Sequence, residues 1–399
     1  MSGYDAAALL AQIADIGTDP RRGGYTRHVF DAAERTLREW FVASAEGLGL
    51  TVHVDRNANL WAWWGEPGND AVVTGSHLDS VPGGGAHDGP LGVVSALAAV
   101  DRLQREGFAP TRPVAVVVFA EEEGSRFGMA CLGSRLLTGA ISAQRAGGLR
   151  DEHGTLFADA ARAASFPDFG VDREALGRIG VFVELHVEQG KGLIDLGAPV
   201  AVGSTILEHG RWRIEVRGRG DHAGTTALAD RRDPMLPAAA AVIAARRAAL
   251  ARHDARATIG RIHPVPGGTN VIASRVSAWL DVRAGSAADT RAIVDEVIAE
   301  VAEAARREGC EATVIEESYS GEVRFDPMLR DRLARRLGDA PILPTGAGHD
   351  AGILAAHVPT AMLFVRNPSG ISHAPEEGAD DDAVSAGVDA LVATIRELA

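Results

Sequence analysis

Hydrophobic and polar positions follow one another in two distinct ways along this chain, and the changes between them divide it. Residues 4 to 16 and 29 to 47 repeat their apolar positions near every three or four, the second stretch through Phe30, Leu37, Phe41 and Leu48, which predicts amphipathic helices. From about residue 50 the period shortens. LTVHVD and NLWAWWG predict strands, AVVTGSH and PVAVVVFA predict buried strands, and LGVVSALAAVDRLQREG predicts the helix between the last two. Strand, helix, strand in that order, with apolar strands, predicts a parallel sheet with helices packed on its faces.

Near residue 208 the pattern changes again. GRWRIEVRGRGDHAG predicts a strand that runs into a polar turn, and an Ala-rich helix from Pro234 to Arg252 follows. Strands ATIGRIHP and SRVSAWLDVRA, a helix from about Ala287 to Gly309 and the strand EATVIEES come next. Two helices among antiparallel strands predict a small α+β unit, residues 208–322, inserted in a larger α/β unit made of 1–207 and 323–399. The chain then returns to alternation through FDPMLRDRLARRLG, PTAMLFVRN and a last helix from Asp381.

Composition narrows the classes. With 399 residues, 46% of them hydrophobic, the chain can build two cores. Its formal net charge of -14 speaks against a partner that is a nucleic acid or a membrane surface, since both need a concentrated basic face. A small anionic substrate needs only a local cationic pocket. Cys131 and Cys310 carry no CxxC spacing and cannot form a disulfide framework, so both are expected to be buried small apolar residues. No apolar run approaches the roughly 20 residues that span a bilayer, and the first residues lack the pattern of a leader, so a soluble cytoplasmic protein is expected.

The candidate chemistry gathers where buried strands end. His77 closes AVVTGSH, and Asp79 lies on the same side of an extended chain, where its carboxylate could hold the second ring nitrogen and fix the tautomer for a metal. PGGGAHDGP sets Asp88 in a glycine loop that can pass close to His77, just ahead of a helix. FAEEEGSRFG puts Glu121, Glu122 and Glu123 after another buried strand; three adjacent acids repel one another, and such a place suits them when cations sit nearby. His186 in VELHVEQG and His373 in SGISHAPEE each follow an apolar strand. Together these residues form a carboxylate and imidazole set of the kind that holds paired divalent metals about 3.5 to 4 Å apart. In the inserted unit, Asn270 and Arg283 lie in strands or at their ends, and an amide with a guanidinium can clamp a carboxylate.

Taken in order, GSHLDSVPGGGAHDGPLGV, FAEEEGSRFG, ELHVEQG, GDHAGTT, GGTNVIASRVSAWLDVR, GAGHDA and GISHAPEE resemble the signature blocks of the M20 metallopeptidase superfamily, in its branch of amidohydrolases acting on ureido compounds. The resemblance starts at GGYTRHVF and covers nearly the whole chain. It implies His77 and His186 as terminal ligands of one metal, Glu123 and His373 as those of the other, and Asp88 as the bridge, with Asp79 behind His77. It also implies Glu122 as the general base, its place in the EEE triplet counted back from Gly124. Gln189 and His222 would stand near the ureido group and Asn270 and Arg283 on the substrate carboxylate, while His349, oriented by Asp350, would line the same pocket. His87 stands where the branch usually has Phe or Tyr, and it is expected to face away from the metals.

The fold so implied is a large di-metal catalytic domain with a mixed, mostly parallel sheet, plus an inserted α+β dimerisation lid. Its partner would be a second copy, with His222 reaching the neighbouring subunit's site. The implied reaction is hydrolysis of a ureido C–N bond in a small anionic substrate, assisted by two divalent ions, whether Mn, Zn, Co or Ni. Allantoate is the first expectation, on EHGRWRIEVRG and HAGTTALADRRDPM, and an N-carbamoyl-L-amino acid the second, since both substrates would use every residue named. An M20 exopeptidase and a catalytically silent binding homologue are weaker alternatives; the intact ligand set with Glu122 argues against the silent one.

Overall fold

A computed structural model describes residues 4–399. The described chain falls into two compact units, one running to Thr205 and resuming over Arg324–Ala399, the other Ile206–Val323. The strands that matter below are, in chain order, β1 (Thr51–Val54), β2 (Leu60–Trp64), β3 (Ala71–His77), β4 (Val114–Phe119), β5 (Ile179–Val187), β6 (Val200–Ile206), β7 (Glu208–Arg217), β8 (Arg256–Val265), β9 (Arg275–Ala284), β10 (Glu311–Ser320) and β11 (Thr360–Val365).

In the larger unit these strands hydrogen-bond in the order β6–β11–β5–β3–β4–β2–β1. The four central strands are parallel. Both flanks turn antiparallel, through β11 with β6 on one side and through β4, β2 and β1 on the other. The mixed sheet expected from the sequence is therefore parallel at its centre, where β3 and β4 are buried at every residue and must be covered on both faces. The helix Pro90–Arg105 supplies part of that cover, and Asp381–Leu398 packs against it, with Leu97, Val100, Leu391 and Ile395 sharing one core.

Register decides where the chemistry lies. The pairings Gly75↔Glu184, His77↔Phe119 and Phe364↔His186 bring the carboxyl ends of the four parallel strands level. Loops leaving those ends meet in the crevice where open α/β sheets bind ligands.

The sequence pattern misses some local structure. The glycine-rich stretch Ser80–Gly84 is a strand paired antiparallel with Tyr25–Arg27, because backbone pairing needs no side-chain period. The first helix is shorter than its periodicity, Ala6–Gln12, with the Asp5 carboxylate accepting the Ala8 N–H. Four short helices, Leu132–Thr138, Ala143–Gly147, Phe157–Ala163 and Arg173–Arg178, fill a stretch where no period was legible.

The inserted unit is an antiparallel sheet in the order β8–β9–β7–β10. Trp212, Ile214 and Val216 of β7 and Leu280 of β9 pack on the helices Met235–Leu250 and Ala287–Arg307, through residues such as Ala245 and Val297. The β7–β9 ladder does not stop at Arg217↔Arg275. It continues through the Gly218 N–H to the Ser274 carbonyl at 2.9 Å and resumes at Asp221↔Ile272 and His222↔Val271. Among the described residues no helix is long and apolar enough to cross a membrane.

Candidate metal centre

Two histidines stand at neighbouring strand ends with their rings prepared in the same way. Nδ1 of His77 donates to the main-chain carbonyl of Asp79 at 3.0 Å, and Nδ1 of His186 donates to that of Val187 at 2.9 Å. A carbonyl only accepts, so both rings carry a proton on Nδ1, which leaves Nε2 as the ring atom that could meet a cation. The rings lie 5.8 Å apart and are fully buried.

Both Nε2 atoms face Asp88, at 3.5 Å from His77 and 3.2 Å from His186, and both approach its Oδ1. Neither approach is a hydrogen bond: His77 Nε2 and His186 Nε2 are buried with no hydrogen-bond partner among the described residues. The other oxygen, Oδ2, faces a second group. His373 Nε2 lies 3.4 Å from Asp88 Oδ2 and 3.4 Å from Glu123 Oε2. Asp88 thus belongs to two sets that could each hold a metal ion, His77 with His186, and Glu123 with His373.

The donor chemistry fits divalent cations. Leaving a buried acceptor unsatisfied costs about 1–3 kcal/mol, and the two Nε2 atoms and Glu123 Oε1 are all in that condition. Burial, and then the neighbouring carboxylates Glu122, Asp88 and Asp79 pulling the other way, leave His77 well above the usual imidazole range. Burial alone would raise Asp88, but the two imidazoles facing it hold it well below the usual carboxylate range. Burial and the proximity of Asp88 push Glu123 well up. Cations among these groups would satisfy the orphaned acceptors and screen the crowded acids.

The EEE triplet points three ways. Glu121, at φ 53, turns inward so that its carboxylate accepts the N–H groups of Arg126 and Phe127 at 3.1 and 2.7 Å. Burial and Asp79 raise it to about 8. Glu122 sets Oε2 at 3.6 Å from His77 Nε2, and Glu123 faces His373.

Several expected contacts differ. The Asp79 carboxylate, expected on the ring of His77, lies 3.6 Å from Nδ1 and accepts instead the N–H groups of Glu122 and Glu123, both at 3.1 Å. Its main-chain carbonyl fixes the tautomer, because two well-aligned amide donors claim the side chain. Asp350, expected to orient His349, meets the hydroxyl of Ser134. His349 is nonetheless buried beside His186, ring centroids 4.5 Å apart, and burial followed by the charge of His186 keeps it well below the usual imidazole range. Cys310 is only half-buried, whereas Cys131 is buried as expected and sets its thiol 3.3 Å from Glu122 Oε1.

Gln189 donates through Nε2 to Asp88 Oδ2 at 2.7 Å and to Ser372 Oγ at 3.0 Å, which fixes its amide and leaves Oε1 buried without a donor among the described residues. His87 belongs to neither metal set, and burial lowers its pKa. His87→Phe should leave metal uptake unchanged, as measured by elemental analysis of the loaded protein; a lost ion would make His87 a ligand. Sequence reasoning missed Glu377, whose carboxylate accepts the N–H groups of His87 and Asp88 and the hydroxyl of Ser372. Its only legible signal was a second acid close behind His373.

In the inserted unit His222 and Asn270 are neighbours, joined by His222↔Val271 and by the Ala223 N–H to the Asn270 carbonyl at 2.9 Å. Arg283 pairs with His209 at the other end of β9 and donates to Asp281 at 3.0 Å. The chain from Arg275 to Arg283 is continuously extended, eight steps that span about 26 Å, and Asn270 lies beyond Arg275. Asn270 and Arg283 of one chain therefore cannot grip one carboxylate together, contrary to the sequence expectation. The period showed that both belonged to the sheet but not that the ladder holds them at opposite ends.

The description Peptidase family M20/M25/M40 matches residues 73–397. The chain is similar to an N-carbamoyl-L-amino acid amidohydrolase of Geobacillus stearothermophilus, 34% identical over 399 residues that cover 98% of this chain and 97% of the relative. It is also similar to an allantoate amidohydrolase of Escherichia coli (strain K12), 30% identical over 404 residues, covering 98% and 96%. Among solved structures, an amidase of the hydantoinase/carbamoylase family from Burkholderia vietnamiensis superposes with a TM-score of 0.91 at 30% identity, covering 100% of this chain and 98% of that one.

Proposed function

Because the chain belongs to peptidase family M20/M25/M40 and is a hydrolase of C–N bonds other than peptide bonds, we propose that it cleaves the ureido C–N bond of a small carboxylate, allantoate first among them. The observation that carries this reading is the pair of ligand sets sharing Asp88, with Glu122 beside them. In this reading His77, Asp88 and His186 would hold one divalent ion, and Asp88, Glu123 and His373 a second. When bound, such ions polarise a carbonyl and make water more acidic.

The protein's own groups do the rest. Glu122 takes a proton from the attacking water, whose oxygen bonds to the carbamoyl carbon, and His222 stabilises the oxyanion. The C–N bond to the substrate amine then breaks, Glu122 returns the proton to that nitrogen, and the carbamic acid released falls apart into ammonia and carbon dioxide. Burial raises Glu122 well above the usual carboxylate range, which suits a base that must give its proton back. Gln189 Oε1, buried without a donor among the described residues, suits a ureido N–H. Gln189 and Ser372 beside Asp88, and His349 beside His186, are polar groups that would suit the second ureido arm of allantoate better than an apolar side chain.

A second reading, an N-carbamoyl-L-amino acid as substrate, is favoured by the 34% identity to the Geobacillus stearothermophilus enzyme. Initial rates of ammonia release on allantoate, N-carbamoyl-L-amino acids and dipeptides separate the two. Faster turnover of a carbamoyl amino acid would reverse their order, and dipeptide cleavage alone would sink both.

The active form in this reading is a homodimer. Leu236, Ile243 and Leu250 stand two turns apart on the helix Met235–Leu250, 51%, 66% and 75% exposed, and β8 is an edge strand of the same unit. An apolar stripe and an unpaired edge in one small unit suit a second copy. With two copies, His222 and Asn270 of one chain could serve the same carboxylate as Arg283 of the other. Arg283→Lys should raise KM for the carboxylate substrate at least about tenfold, because hydrogen bonds to a charged group contribute about 1.5–3 kcal/mol and an ammonium cannot reproduce the planar fork. KM for a neutral amide of the same substrate should change little; equal losses for both would remove Arg283 from the carboxylate.

A further inference from the structure

The two metal sets are built differently. His77 and His186 are held on β3 and β5, fully buried, each ring tied to the adjacent main chain. His373 lies in the loop after β11, its side chain 50% exposed and its backbone at φ 57 in the left-handed region. Its neighbour in that loop, Ser372, is held by one buried carboxylate. Glu377 Oε1 accepts the N–H groups of Asp88 at 2.9 Å and His87 at 3.2 Å, and its Oε2 accepts the Ser372 hydroxyl at 3.1 Å. The Ser372 oxygen in turn accepts from Gln189 at 3.0 Å and stands 3.3 Å from Asp88 Oδ2.

Glycine makes the contact possible. A Cβ on Gly85 would lie 2.3 Å from Glu377 Oε1, so the Asp88 loop can lie on this carboxylate only without a side chain there. Glu377 therefore ties the loop that carries His373 to the loop that carries Asp88. Among the described residues neither His77 nor His186 hydrogen-bonds to Glu377; they meet the tie only through the other oxygen of Asp88.

We propose that Glu377 is the positioning residue of the Asp88–Glu123–His373 set, a role that rests on the two-ion reading above. It sets the affinity of that set for its ion and leaves the His77–Asp88–His186 set nearly untouched. The Asp88 oxygen that faces His373 is the one in the Ser372 and Gln189 network, whereas the other faces the two strand histidines. Removing Glu377 would free Ser372, and His373 next to it, before it disturbed the strand ends.

Metal-free full-length protein titrated with Mn or Zn by calorimetry, with elemental analysis of the loaded form, tests this without any activity assay. Wild type should take two ions. Glu377→Ala should take the first with unchanged affinity and the second about 10- to 100-fold more weakly. Glu377→Gln keeps an acceptor for the two N–H groups and should recover most of that loss. If Glu377→Ala fails to fold by circular dichroism, Ser372→Ala removes the other end of the same tie and should weaken the second ion by a smaller factor. Two ions bound as in wild type by the folded variant would overturn the proposal, as would equal weakening of both. Wild type taking fewer than two ions would instead defeat the two-ion reading itself.

Discussion

Glu122→Gln is expected to keep both metal ions and to lower turnover by about 10²- to 10⁴-fold, the contribution of a positioned general base. The amide is nearly isosteric, so the approach to His77 on one side and to the Cys131 thiol, 3.3 Å away, on the other can persist while the proton acceptor is lost. Glu123→Gln should behave differently. Its carboxylate faces His373 at 3.4 Å and has an oxygen with no partner among the described residues, so the neutral amide should release one ion. Elemental analysis and initial-rate kinetics on the two variants decide the matter. Reversed phenotypes would move the base to Glu123 and the ligand to Glu122.

Two inactive variants should restore activity when mixed. His222 belongs to the inserted unit and Glu122 to the larger one, and in the proposed dimer His222 acts on the neighbouring chain's site. Glu122→Ala and His222→Ala should each be inactive as homodimers. A mixed dimer holds one intact site, made from Glu122 of one chain and His222 of the other. Random exchange makes about half the dimers mixed, each with one working site of two, so recovery should approach about a quarter of wild-type activity. Co-refolding the variants, proving mixed dimers with two affinity tags and measuring ammonia release of the unseparated mixture gives the answer. Inactive mixed dimers would put His222 on its own chain's site or outside catalysis.

What the sequence by itself determined is the chemistry at the strand ends. Apolar runs such as AVVTGSH and PVAVVVFA announce buried parallel strands, and the residues that follow them, His77, Asp88, Glu122, Glu123 and His186, are fixed in place by that local order. Period and breaker residues act over a few positions, so they can be read without the rest of the chain. The tertiary structure alone decided which donor meets which acceptor. Glu377 meets the His87 N–H across 290 residues, Asp79 gives its carboxylate to amides 43 and 44 residues away and leaves the ring of His77 to its own carbonyl, and Cys131 touches Glu122. Asn270 and Arg283, 13 positions apart in sequence, stand at opposite ends of one ladder because an extended strand converts sequence separation into length. A hydrogen bond depends on distances and angles that only the packing of remote elements sets, and no local period encodes them.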